Sequence, residues 1–216
     1  MKKLRLLAAI PAAALAAGLW VPAQAAGATM TIMPSVGLTN GQTVVVRGSG
    51  YPAGKTVIVI ECANLTGPAG CDVQRLATTT VSSSGTFQKS FIVHTGAIGN
   101  GRCNPGSTNC TITATTSDQS AHATRHVSFA APTRTTARYN TTTHVLSATV
   151  TSGSRTVAGE VVRLYRRSGT AWVLVATLRT GTHGVVSYHV TRYASYKFVT
   201  PKQGNYLGSQ SLVIKA

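Results

Sequence analysis

From Met30 onward the chain sustains no apolar repeat of helical period. It carries short runs in which apolar and polar side chains alternate, each closed by Gly, Pro, Asn or Ser. A period of two sends successive side chains to opposite faces of a strand, so each run buries one face and wets the other. In the first part the runs cover 30–33, 44–50, 56–63, 75–82, 85–93, 110–117 and 122–130, with turns such as Thr39-Asn40-Gly41 and Ser83-Ser84-Gly85 between them. Seven short strands punctuated in this way read as a β-sandwich. The pattern repeats over 135–139, 144–151, 159–167, 172–180, 184–192, 196–200 and 210–215. There Trp172, Leu174, Ala176 and Leu178 read as one face, which makes Trp172 a large core candidate. The expected fold is all-β, with two immunoglobulin-like seven-stranded antiparallel β-sandwich domains in tandem.

The boundary is expected at Ala130-Ala131-Pro132-Thr133, where Pro follows a strand pattern. Charge shifts at the same place: residues 26–131 hold six basic and three acidic side chains, residues 132–216 eleven basic and one acidic. Ahead of both lies a segment of another kind. Lys2, Lys3 and Arg5 precede an Ala/Leu-rich stretch ending in Ala23-Gln24-Ala25, which reads as a secretory signal peptide over 1–25 and an extracellular destination. The expected organisation is 1–25 signal peptide, 26–131 a Cys-bearing domain and 132–216 a basic domain.

Composition narrows function. Glu61, Asp72, Asp118 and Glu160 are the only carboxylates in a chain of formal net charge +16. That leaves little material for a carboxylate-paired hydrolase or a Mg²⁺ or Ca²⁺ cage, so the chain is read as non-enzymatic. Cys62, Cys71, Cys103 and Cys110 allow three pairings, of which the local one is favoured because it closes two short loops. CxxC spacing is absent and the compartment is oxidising, so no metal is expected. His122 and His126 fall on a strand pattern, about 13 Å apart on one face, and read as exposed polar positions. Arg163, Arg166, Arg167, Arg179, Arg192, Lys197 and Lys202, interleaved with tyrosines, form a candidate basic surface. Arg and Tyr suit phosphate contact and ring stacking, so the partner expected there is an anionic envelope polymer or DNA.

An ordered set of features from Thr29 to Ala130 resembles the neocarzinostatin family of actinobacterial enediyne-carrier apoproteins. It comprises Pro34-Ser35-Val36-Gly37-Leu38-Thr39-Asn40-Gly41, Gly48-Ser49-Gly50-Tyr51-Pro52-Ala53-Gly54, Glu61-Cys62-Ala63 with Cys71, Ser83-Ser84-Gly85-Thr86-Phe87, and Arg102-Cys103 with Cys110. The resemblance implies a seven-stranded immunoglobulin-like sandwich with disulfides Cys62–Cys71 and Cys103–Cys110. It also implies a cleft beside them that holds a small apolar ligand, an enediyne-type chromophore, without a covalent bond. By resemblance the cleft is lined by Asn64, Leu65, Leu76, Ile98, Thr111 and Thr113. These side chains are smaller and more polar than an aromatic lining, so weak binding of a naphthoate is expected. Val157 to Arg167 with Trp172, Leu174-Val175-Ala176-Thr177 and Gly184 resembles the bacterial Ig-like modules of secreted actinobacterial proteins. The expected function is a secreted antibiotic-type carrier with a basic domain for anionic surfaces or DNA. The alternative is a structural or adhesive envelope protein whose sandwiches are scaffolds.

Overall fold

Eighteen strands and one short 3-10 turn account for the regular structure of residues 27–63 and 67–216, which the computed structural model describes. The signal-like segment 1–25, Asn64 and Leu65 lie outside the described residues. The first part holds β1 (Thr29–Met33), β2 (Thr43–Ser49), β3 (Thr56–Cys62), β4 (Ala77–Thr80), β5 (Thr86–Ile92), β6 (Gly96–Ile98), β7 (Gly101–Cys103), β8 (Cys110–Thr116) and β9 (His122–Val127). The second holds β10 (Arg134–Asn140), β11 (Val145–Ser152), β12 (Arg155–Thr156), β13 (Val161–Ser168), β14 (Ala171–Arg179), β15 (Val185–His189), β16 (Ser195–Thr200), β17 (Ser209–Gln210) and β18 (Ile214–Lys215). All strand pairings between these elements are antiparallel.

A three-stranded sheet β1-β2-β5 and a four-stranded sheet β4-β3-β8-β9 form a sandwich in the first part. Alternation sends Val44 and Val46 of β2, Phe87 and Phe91 of β5, Val57 and Val59 of β3, and Ile112 and Ala114 of β8 into one buried cluster with Phe129. Tyr51 completes it: its ring meets Phe87 edge-on at 5.0 Å, its hydroxyl donates to the Ala114 carbonyl, and burial pushes its pKa up to about 12. The second part encloses its own cluster, including Leu146, Val150, Val162, Leu164 and Phe198, and no residue belongs to both clusters. Its sheets are β10-β11-β12 with β15 on β11, and β14-β13-β16-β17 with β18 on β16. Between the two clusters, Ala131 donates to the Asn205 carbonyl and accepts from the Leu207 amide.

Both disulfides form with the local pairing, Cys62–Cys71 and Cys103–Cys110. Each closes a short loop, and on the chain-entropy account each contributes about 2–3 kcal/mol. In a Cys62→Ser/Cys71→Ser variant the first half should therefore melt roughly 10–20 °C lower. Calorimetry checks this.

Three expectations are corrected. Trp172 is not a core residue: a β-bulge between Leu164 and Tyr165 leaves Val175 without a partner on β13, and alternation along β14 changes phase there. Ala176 and Leu178 pack on the core, while Leu174 is 49% exposed and Trp172 half-buried. Segment 96–103 forms the hairpin β6–β7, which sends Ile98 fully into the first core. The run 210–215 divides into β17 and β18, because the Ser211 hydroxyl, rather than a strand carbonyl, accepts the Phe198 amide at 3.0 Å.

Candidate functional site

Strand β3 reads Thr-Val-Ile-Val-Ile-Glu-Cys, apolar on both faces. Val57 and Val59 are buried in the core, so Ile58 and Ile60 point away from it, with Cys62 on the same side. Register places Ile58 opposite Thr115, Ile60 opposite Thr113 and Cys62 opposite Thr111, with Thr124 beyond Thr113 on β9. This outer face is the floor of a groove of about 630 Å³. Its wall is the segment tied down by Cys62–Cys71, which contributes Gly67, Cys71, Val73 and Leu76. The Thr113 and Thr124 hydroxyls bond each other at 2.9 Å, and the Thr111 hydroxyl reaches the Cys62 carbonyl at 3.5 Å. No carboxylate and no Phe, Tyr or Trp is among the described lining residues.

Of the residues expected in the cleft, Leu76, Thr111 and Thr113 meet in this groove. Ile98 does not; the tip of its hairpin is instead pressed behind the wall. Gly99 has φ +52°, and a Cβ there would come 2.6 Å from the Ala69 carbonyl oxygen and 2.7 Å from that of Cys71. The Asn100 amide also donates to the Ala69 carbonyl at 2.8 Å. Only glycine fits such a close approach in that conformation. Sequence reasoning passed over Ile58, Ile60, Val73, Thr115 and His122 as lining residues. The available signal was a strand with no polar face, which must be covered on both sides or face something apolar.

Behind the wall lies Glu61, 2% exposed. Its Oε2 accepts the His94 amide at 2.8 Å, and its Oε1 has no partner. Burial pushes its pKa up to about 7, against the pull of the His94 amide and of Arg75. Asp72, also buried, pairs with Arg75 at 2.6 Å, and its amide donates to the Glu61 carbonyl. Glu61 thus supports the disulfide wall from the core side and is not itself a lining residue of the groove.

The basic set is divided by the fold. Arg163, Arg167, Arg179 and Lys197 project from the outer face of β14-β13-β16, where Lys197 Nζ stands 4.6 Å over the Trp172 ring. Arg166 lies across from Tyr196 in the register, and the Tyr196 hydroxyl donates to the Arg192 carbonyl. Lys202 is exposed beyond β16. His122 and His126 are exposed on β9, and His122 borders the groove.

A model of the Neocarzinostatin family matches residues 30–139, half of the chain. Two curated proteins of Streptomyces globisporus, Actinoxanthin and the Antitumor antibiotic C-1027 apoprotein, are each 34% identical over 68 residues. That stretch is 32% of this chain and 48% of each relative, so the chain spans about half the length of the curated relatives it matches. Among solved structures, macromomycin aligns with 48% of this chain and all of its own at 25% identity, with a TM-score of 0.41.

Proposed function

The chain belongs to the neocarzinostatin family, and from that premise we propose that its first half is a secreted, non-enzymatic carrier of a small apolar ligand, bound without a covalent bond in the groove over β3 and β8. The second half, in this reading, is a separate basic domain that holds the carrier on an anionic polymer or DNA. The domains are 26–131 and 132–216, a division supported by two buried clusters with no common residue. Export is supported by the signal-like sequence of 1–25.

The observation that carries the reading is the groove itself. Its volume of about 630 Å³ falls within the ~300–1,000 Å³ range of sites that take drug-sized molecules. Its lining is mostly apolar, and one wall is fixed by a disulfide. The name of one curated relative, the Antitumor antibiotic C-1027 apoprotein, is that of an antibiotic apoprotein, which favours a chromophore as the ligand class. Without aromatic rings among its described lining residues, the groove forgoes ~0.5–1.5 kcal/mol for each ring pair. Two or three such losses weaken an enediyne-type naphthoate roughly a hundredfold.

Titration with a fluorescent naphthoate tests this, together with mass spectrometry of the protein from its native culture. Saturable but weak binding is expected, weakened at least tenfold further by Val73→Glu/Leu76→Glu at two exposed wall positions. No binding of the naphthoate and no molecule carried from culture would overturn the carrier and leave two sandwiches serving as scaffolds.

A further inference from the structure

The outer face of β14-β13-β16 combines two properties that a solvated surface does not need together. The first is apolar and aromatic area partly open to solvent, with Leu174 exposed and Trp172 and Tyr165 half-buried. In the register Trp172 stands opposite Arg167, and Tyr165 stands between Leu174 on one side and Lys197 on the other. The bulge at Val175 produces this, since uninterrupted alternation would have kept Trp172 and Leu174 on the face of Ala176 and Leu178, which pack on the core. The second property is uncompensated positive charge. Arg163 and Arg167 are exposed, Lys197 is half-buried over Trp172, and the two ion pairs among the described residues both lie in the first half. Glu160, the one carboxylate of residues 132–216, is itself buried.

We propose that this face binds single-stranded nucleic acid, with bases stacked on Trp172 and Tyr165 and phosphates seated on Arg163, Arg167 and Lys197. The proposal rests on the reading of the second half as the polyanion-binding part, and it names the polymer. A phosphate polymer without bases accounts for the cations but gives the rings nothing to cover. A duplex keeps its base faces stacked inside. A single strand offers both, and sheet platforms with aromatics on neighbouring strands are a recurrent way of receiving it. Side chains two apart on a strand stand about 6.7 Å apart on one face, which sets Tyr165 midway between Arg163 and Arg167. A base arriving on Trp172 displaces the Lys197 ammonium from the ring toward the adjoining phosphate.

The test is fluorescence anisotropy of the full chain with a labelled ten-nucleotide oligothymidylate, with inorganic polyphosphate of equal charge number as competitor. The oligonucleotide should bind at least tenfold more tightly than polyphosphate. Raising salt from 50 to 200 mM should weaken it roughly 20- to 50-fold, as expected when three or four phosphates are neutralised. Trp172→Ala should weaken it about tenfold or more, and Trp172→Phe should restore most of the loss. Arg163→Gln/Arg167→Gln, at two exposed positions, should flatten the salt dependence with the fold intact by circular dichroism. Equal binding of polyphosphate, or indifference to Trp172→Ala, would overturn the nucleic-acid assignment and leave the polyanion reading standing. Failure of both polymers to bind would overturn both.

Discussion

Raising the pH from 4 to 8 should lower the unfolding free energy of the Cys-bearing half by about 3 kcal/mol through Glu61 alone. The folded carboxyl holds its proton up to about pH 7, against an ordinary value of 4.5. Each unit of difference corresponds to about 1.4 kcal/mol. Because the folded pKa is the higher one, the unfolded chain releases a proton that the folded chain keeps. The stabilisation is therefore full below about pH 4.5 and lost as pH rises through 7. The cause is burial: a carboxylate 2% exposed has one hydrogen bond, from the His94 amide, and its Oε1 faces no donor. Glu160 acts in the same direction in the second core, where burial raises its pKa against the pull of Arg179. Asp118 has the opposite sign and acts lower on the scale. Hydrogen bonds from Ser120 and then from Lys55 hold its pKa well below the usual carboxylate range, so its contribution is lost only as pH falls through that depressed value. Glu61→Gln keeps an acceptor for the His94 amide and cannot ionise. It should flatten the pH profile between 4.5 and 7 and equal or exceed the parent's stability at pH 8, measured by urea unfolding across the range. A parent profile that rises over this window, or a variant profile as steep as the parent's, would show that Glu61 is not the group responsible.

The strands were legible because alternation and turn chemistry agree. The run at 110–117 puts Thr111, Thr113 and Thr115 on one face and Ile112 and Ala114 on the other, and that is how β8 stands. Leu76, Thr111 and Thr113, which the family resemblance placed in a ligand cleft, line the groove over β3 and β8. What stayed hidden were breaks in the period. Nothing in Trp172-Val173-Leu174-Val175-Ala176 announces that Val175 is the unpaired residue, so Trp172 read as core and not as a neighbour of Arg167 on the basic surface. Ile98 sits in a Gly-rich stretch too short to show alternation, and its inward turn follows from the tight fit of Gly99 against Ala69 and Cys71. Ser211 ends one strand and starts another by a side-chain hydrogen bond, which has no hydrophobic signature at all. Local pattern therefore determined which residues face the core over most of the chain. The two candidate faces depended on a bulge and on a close glycine contact, both set by partners distant in sequence.

Truncating one core aromatic should unfold one half and spare the other. Phe129 and Phe198 are among the largest fully buried side chains, one in each cluster. Replacing either by Ala removes a ring from a close-packed interior and costs about 3–5 kcal/mol. For a unit of this size that lowers the melting temperature by more than 10 °C and takes a marginal unit below its folding threshold at 37 °C. The clusters share no residue, and the described contacts between the halves are few: Ala131 with Asn205 and Leu207, and Gly37 against Gly204. Changes at sites this far apart are expected to act independently. Calorimetry of the full chain should therefore show two transitions. Phe198→Ala should move only the one that a reductant leaves in place, because the second half has no cysteine. Phe129→Ala should move only the one that a reductant also lowers. The order of the transitions is immaterial; the correspondence between reductant and variant decides the matter. A single transition displaced by both variants and by reduction would mean that the Ala131 junction couples the two sandwiches into one cooperative unit, and the proposed boundary at Pro132 would fall with it.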